Sequence, residues 1–348
     1  MIDLPKELAL LRPLLVAFSA KTQERFLVLT LGAIVAMGRR TVSRVLWAVC
    51  PLALGPACGY HRFFSSARWS LWILARVLAA MVMELTDPQA PVFLIVDDTV
   101  VGHRGQKVFG KGWHRDAVNS SRSHLVKKLG HKWVVMAVNV TLPRCKGPWA
   151  LPVLAALYIV PPKLPDAADG QRLRDVQMLG GSGGWYRCRG SGRGALVPVR
   201  WVYLREMLHQ GEAYLYSTDP ALADEAIATG FVLRWPIEVT FEEVRAHLGF
   251  HTPRQRCQQS VLRTGPCLLG LFSLVSLIYA QIAAEKPVKL QTTCCYVKSD
   301  PTFADALAAV RRVIWEKIIL PRTAGGTLAA QFPPPLKELL LDHLTAAA

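Results

Sequence analysis

Pro91-Val-Phe-Leu-Ile-Val-Asp-Asp-Thr99 is the stretch on which the reading of this chain turns. Five apolar residues, four of them β-branched or aromatic, run straight into two carboxylates. The pattern predicts a strand buried on both faces whose far end carries charge. Asp97 and Asp98 would lose hydration there, a cost met by a metal, a basic partner or a hydrogen-bonding loop. On local grounds a second reading stands beside it, in which Asp-Asp-Thr only caps the following turn.

The other fixed point is Phe231-Val-Leu-Arg-Trp-Pro-Ile-Glu-Val-Thr-Phe-Glu-Glu-Val-Arg245. Pro236 suits the first turn of a helix, and Ile237, Phe241, Val244 and Leu248 then recur at helical spacing as a buried stripe. Glu238 adjoins that stripe. Glu238, Phe241, Glu242 and Arg245 share a side at i, i+3, i+4 and i+7. An exposed amphipathic helix with ordinary salt bridges would show the same pattern.

Together the two segments resemble the insertion-sequence transposases of the DDE superfamily. In that family Tyr-x-x-Arg-x-x-x-Glu-x6-Lys marks the helix bearing the final acid; here it reads Phe231, Arg234, Glu238 and Arg245, with Phe for Tyr and Arg for Lys. The words Asp97-Asp-Thr-Val, Gly112-Trp-His, Gly130-His-Lys-Trp and Ala246-His-Leu-Gly-Phe250 are similar to the family as well, so the resemblance covers most of the chain. It implies an α/β fold, a ribonuclease H-like mixed sheet flanked by helices, with an all-helical region before it. It also implies phosphoryl transfer at DNA ends, in which two Mg²⁺ (or Mn²⁺) ions held by three carboxylates activate water or a 3′-hydroxyl. By the same resemblance Asp97 and Glu238 are catalytic metal ligands, Arg234 and Arg245 hold phosphates, and the partner is the element's terminal inverted repeats. A homodimer is compatible with it, and the location implied is cytoplasmic and nucleoid-associated.

The family's second catalytic Asp follows an apolar strand, and no such strand is legible here. The interval Pro165 to Gly194 is polar and Gly-rich, with Gly180-Gly-Ser-Gly-Gly184 and Arg189-Gly-Ser-Gly-Arg-Gly194, and reads as a flexible crossing. Asp166, Asp169 and Asp175 are its acids, and none follows an apolar run. The expectation is therefore an internally deleted transposase, incomplete in its sheet and impaired in strand transfer. Two alternatives stand beside it: a non-catalytic DNA-binding remnant, and an enzyme in which one of those three Asp has taken the vacant place. Losing a central strand should expose its neighbours and favour aggregation.

Composition agrees with a polyanionic partner. Lys plus Arg number 41 against 25 Asp plus Glu, a formal charge of 41 − 25 = +16. The 348 residues suffice for two domains, and 51% hydrophobic content for a sizeable core. Eight Cys without regular spacing argue against a disulfide scaffold, and adjacent Cys294-Cys295 lack the CxxC or His partners of a zinc site. No Gly-Lys-Ser/Thr follows the glycines, so no phosphate-binding loop is expected. The opening Met1-Ile-Asp-Leu-Pro does not read as a signal peptide. Cys267 to Ala284 is apolar at the lower edge of spanning length but interrupted by Ser273, Ser276, Tyr279 and Gln281, and reads as a core helix.

In chain order, 1–88 reads as a helical, DNA-binding region, 89–285 as the ribonuclease H-like domain with 165–194 as the junction, and 286–348 as a helical tail. Within the first, Thr41 is an expected N-cap placing Val42, Val45 and Leu46 inward and Arg44 outward, beside Arg39 and Arg40. This helix could be the second of a helix-turn-helix or an ordinary solvated face. His103 to Lys132 holds eight Lys or Arg and one acid, Asp116, and its glycines predict a loop or loose hairpin. Lys111, Arg115, Lys127 and Lys128 are its phosphate-binding candidates, while His103, His114, His124 and His131 lack metal-cage spacing. Strands are predicted over 133–142, 151–160, 197–204 and 212–217, and a last amphipathic helix over 302–319 before a Gly- and Pro-rich tail.

Overall fold

A computed structural model describes residues 2–89, 91–103, 105, 107–115, 126–159, 181–186, 196–205, 212–217, 219, 221–224, 226, 227, 230, 233–291, 298–323 and 332–346. The chain divides into two compact units, one of residues 1–160 and 236–348 and the other of 161–235.

After short helical turns at Lys6–Leu8, Leu11–Leu14 and Leu15–Ala17, the first unit has helices α1 (Ala20–Val35), α2 (Val42–Ala48), α3 (Ala57–Ser65) and α4 (Leu71–Met83). Hydroxyl caps start two of them. Thr41 Oγ1 accepts from Arg44 N at 3.4 Å and Ser70 Oγ from Ile73 N at 3.4 Å, each satisfying an orphan first-turn donor. As expected, α2 turns Val42 and Val45 inward and leaves Arg44 in solvent.

Four strands follow: β1 (Leu94–Gly102), β2 (Gly112–Arg115), β3 (Lys127–Thr141) and β4 (Pro148–Tyr158). β3 is central, lying between β1 and β2 and pairing β4 over Lys132–Thr141. The basic segment expected as a loose hairpin is one at its base, with β2 antiparallel to Lys127–Gly130. Every pair among the described residues is antiparallel. The cause is connectivity: β3 and β4 are joined by a tight turn through Arg144, at φ 64, whereas a parallel pair needs a long crossover.

Among the described residues β1 pairs only with β3, so its other side is an edge. Alternation turns Ile95, Thr99 and Val101 into the core, while Leu94 and Val96 on the opposite face are each 61% exposed. A strand read from composition as buried on both faces is thus covered on one.

Helices α5 (Pro236–His247) and α6 (Gln258–Glu285) pack on the sheet. α6 is long and apolar enough to cross a membrane, but its most apolar window is 78% buried within the protein, the signature of a core helix. Gly265 lets it approach, since a Cβ there would overlap the Trp133 ring. Ser273 Oγ donates to Pro152 O at 2.6 Å and locks α6 to β4.

α7 (Phe303–Ile314) begins with a Thr302/Asp305 capping box and runs on as a π turn through Ile319, close to the predicted end. Beyond the Gly- and Pro-rich stretch the chain forms one more helix, α8 (Pro334–Thr345). Buried Arg311 joins these ends, donating to the carbonyls of Ile34 at 2.8 Å, Ala36 at 3.3 Å and Ala346 at 2.7 Å. One hydrophobic core runs from Leu4 to Ile319, shared by the three segments that the sequence reading separated.

The second unit holds β5 (Gly181–Tyr186), β6 (Leu196–Arg205) and β7 (Glu212–Ser217), paired antiparallel in that order. The β6–β7 pairing is as expected. β5 is not: glycines 181, 183 and 184, read as a flexible crossing, form a strand with backbone bonds supplied by β6. Pairing overrides weak strand propensity here.

Candidate functional site

The site is built from β1 and α5. Side-chain alternation puts Asp97 on the core-facing side with Ile95, Thr99 and Val101, and Asp98 on the other. The two acids are thereby given different work. Asp98 pairs with Lys132 at 2.9 Å, while half-buried Asp97 accepts from the Asp98 backbone N–H at 2.8 Å.

On α5 the predicted stripe is inward, with Ile237, Phe241, Val244 and, just past the helix, Leu248 buried. The helix is fastened on both flanks. Thr240 Oγ1 donates to Ala150 O of β4 at 2.8 Å, and on the opposite flank the Arg245 guanidinium donates to the Thr99 hydroxyl of β1. Glu238 lies seven residues before Arg245, nearly two full turns, so it projects from the same side of the helix, and it is exposed. It also lies in the first turn, where the helix dipole favours a carboxylate. Thr99, two residues past Asp97, is the contact that sequence reasoning missed; its place on Asp97's face was the available signal.

Among the described residues no group of three or more His, Cys, Asp or Glu could hold a metal ion. Asp166, Asp169 and Asp175, and Phe231 of the signature, lie outside the described residues. Of the acids that the resemblance names, Asp97 stands on β1 and Glu238 on α5.

The basic candidates separate by burial. Arg39, Arg44, Arg115, Lys127 and Lys128 are exposed, with the Arg44 guanidinium 4.7 Å above the Trp47 ring. Lys111 is half-buried and donates to Gly105 O, and Arg234, in the second unit, is half-buried. Arg40 is a correction. It is buried, and its guanidinium donates to the carbonyls of Ala33 at 2.9 Å, Gly38 at 2.6 Å and His247 at 2.6 Å. Burial pulls its pKa down to about 10. A guanidinium committed to closing the ends of α1 and α5 is not presented to phosphate.

His103, His114 and His131 belong to the packing, and His124 lies outside the described residues. His131 Nε2 lies 2.9 Å from Phe109 O, and the His103 and His131 rings stand 5.4 Å apart. Burial lowers the pKa of His103, His114 and His131.

Known families match the chain in two successive stretches. Residues 13–178 match the model of the DDE superfamily endonucleases, and residues 196–274 match that of the archaeal putative transposase ISC1217. Asp97 falls in the first stretch and Glu238 in the second. No curated protein matches the chain. Over these stretches the chain is similar to the DDE superfamily endonucleases and to the archaeal putative transposase.

Proposed function

We propose that this is a ribonuclease H-like, DDE-type transposase protein that binds DNA and whose cleavage and strand-transfer chemistry is impaired for want of a third carboxylate. The observation carrying this reading is the Arg245–Thr99 bond, which turns the Glu238 flank of α5 toward the face of β1 that bears Asp97. In the intact chemistry a pair of Mg²⁺ or Mn²⁺ ions supplies the activated nucleophile and stabilises the leaving oxygen. Asp97 and Glu238 would hold such ions, and a two-ion clamp lacking its middle carboxylate holds them poorly.

DNA binding rests on charge. Exposed Arg39, Arg44, Arg115, Lys127 and Lys128, with Arg234 and Arg245, would meet phosphates of the element's terminal repeats, and displaced counterions would make affinity fall steeply with salt. Salt titration of binding to terminal-repeat duplex, with Asp97→Asn alongside, tests this reading. A steep slope common to both proteins is expected; a flat slope, or no binding at low salt, would contradict it.

A further inference from the structure

We infer that the base of the β2–β3 hairpin binds an unstacked nucleobase, with Trp113 as the stacking surface and Arg115 and Lys127 on the adjoining phosphates. The inference rests on the DNA-binding reading above and names the feature of DNA that this surface fits.

The strand register brings two cations face to face. Arg115 stands directly opposite Lys127, and Trp113 opposite Leu129. Like charges directly opposite in an antiparallel pair are destabilising. Among the described residues no carboxylate forms a salt bridge with Arg115, Lys127 or Lys128, in contrast to Lys132, which Asp98 neutralises at 2.9 Å. An arrangement of this kind fits a polyanion that closes over it.

The indole specifies what else that polyanion must offer. Trp113 is 63% exposed, although its neighbour His114 is buried. It has little to give a phosphate beyond one N–H, whereas its ring can stack on any base. Bases inside a duplex are already stacked on each other. An indole projecting from a strand can therefore take one only where DNA is single-stranded, frayed or distorted.

The placement suits the rest of the protein. Trp113, Arg115 and Lys127 share a sheet face with Asp97, because Leu129, Lys127 and the Asp97 partner Val135 all lie at odd positions of β3. Val135 and Leu129 are six residues apart, roughly 20 Å along the strand. Thr99, Val101, His131 and Trp133 on that face are buried, so DNA would meet the hairpin at its exposed end, where Trp113, Arg115 and Lys127 lie.

The test compares wild type, Trp113→Ala, Trp113→Phe and the Arg115→Ala/Lys127→Ala double variant. Each is titrated by fluorescence anisotropy against a blunt duplex and the same duplex carrying a single-stranded 3′ overhang, with circular dichroism confirming the fold. Trp113→Ala should lose about tenfold in affinity for the overhang probe, Trp113→Phe should retain most of it, and both should bind blunt duplex like wild type with unchanged salt slope. The double variant should bind both probes more weakly with a shallower slope. Equal loss on both probes for Trp113→Ala, no loss on either, or failure of Phe to rescue would overturn the inference while leaving DNA binding intact. Failure of the wild-type protein to bind either probe would overturn the inference and the DNA-binding reading together.

Discussion

The guanidinium of Arg245 on α5 donates a hydrogen bond to the hydroxyl of Thr99 on β1, across 146 residues of sequence. This bond fixes how the helix bearing Glu238 lies against the strand bearing Asp97. Removing either partner should loosen that alignment. Thr99→Val leaves a half-buried guanidinium without this acceptor and should cost about 1–2 kcal/mol in urea unfolding. Arg245→Lys should recover only part of the loss of Arg245→Ala, because an ammonium lacks the planar fork. Wild-type stability in all three variants would show that the bond does not hold the helix.

Arg40 and Arg44 are four residues apart and should behave oppositely. Arg40→Leu strips donors from three carbonyls at the helix ends, and about 3 kcal/mol or more of stability should go with them. Arg44→Ala should leave stability nearly unchanged and lower the salt slope of DNA binding by about 1. Urea melts and salt titrations of the two variants read both effects directly.

How much of this was legible in the sequence can be seen at these same positions. Thr41 as a cap, the Ile237–Phe241–Val244 stripe and the strand running into Asp97 follow from local pattern, and the structure has all three. Arg40 was not legible, because burial of a cation is decided by carbonyls contributed from residues as distant as His247. The strand at Gly181–Tyr186 was hidden for a similar reason: glycines carry no side-chain pattern, and only the partner strand makes them extended. At the site, both acids could be named from motif words, but Thr99 as the tie between their elements depends on tertiary packing.

Stability should fall on mild acidification. His103, His114 and His131 are all held below the ordinary histidine pKa of 6.5, chiefly by burial. The unfolded chain therefore takes up protons before the folded one. Their contribution is complete above about pH 6.5 and is lost as pH falls through the lower folded values. Urea midpoints measured between pH 7.5 and 5 should decline, and His131→Gln should flatten that decline; an invariant midpoint would contradict the burial of these rings.

The exposed apolar side chains of β1 should make the protein self-associate. Leu94 and Val96 project from a strand whose outer side lacks a partner among the described residues. Val96→Lys places a charge on that edge and should reduce concentration-dependent light scattering without lowering the melting temperature, as charged residues protect natural edge strands. Unchanged scattering would mean the edge is covered in solution.

The most direct test is of strand cleavage itself. Wild type, Asp97→Ala and Glu238→Ala would be incubated with terminal-repeat DNA and Mg²⁺ or Mn²⁺, at protein concentrations where binding is saturated. Bound DNA and no nicked product above background are expected for all three proteins. Metal-dependent nicking by the wild type that disappears in both variants would contradict this expectation, and would direct attention to Asp166, Asp169 and Asp175 as the source of a third ligand.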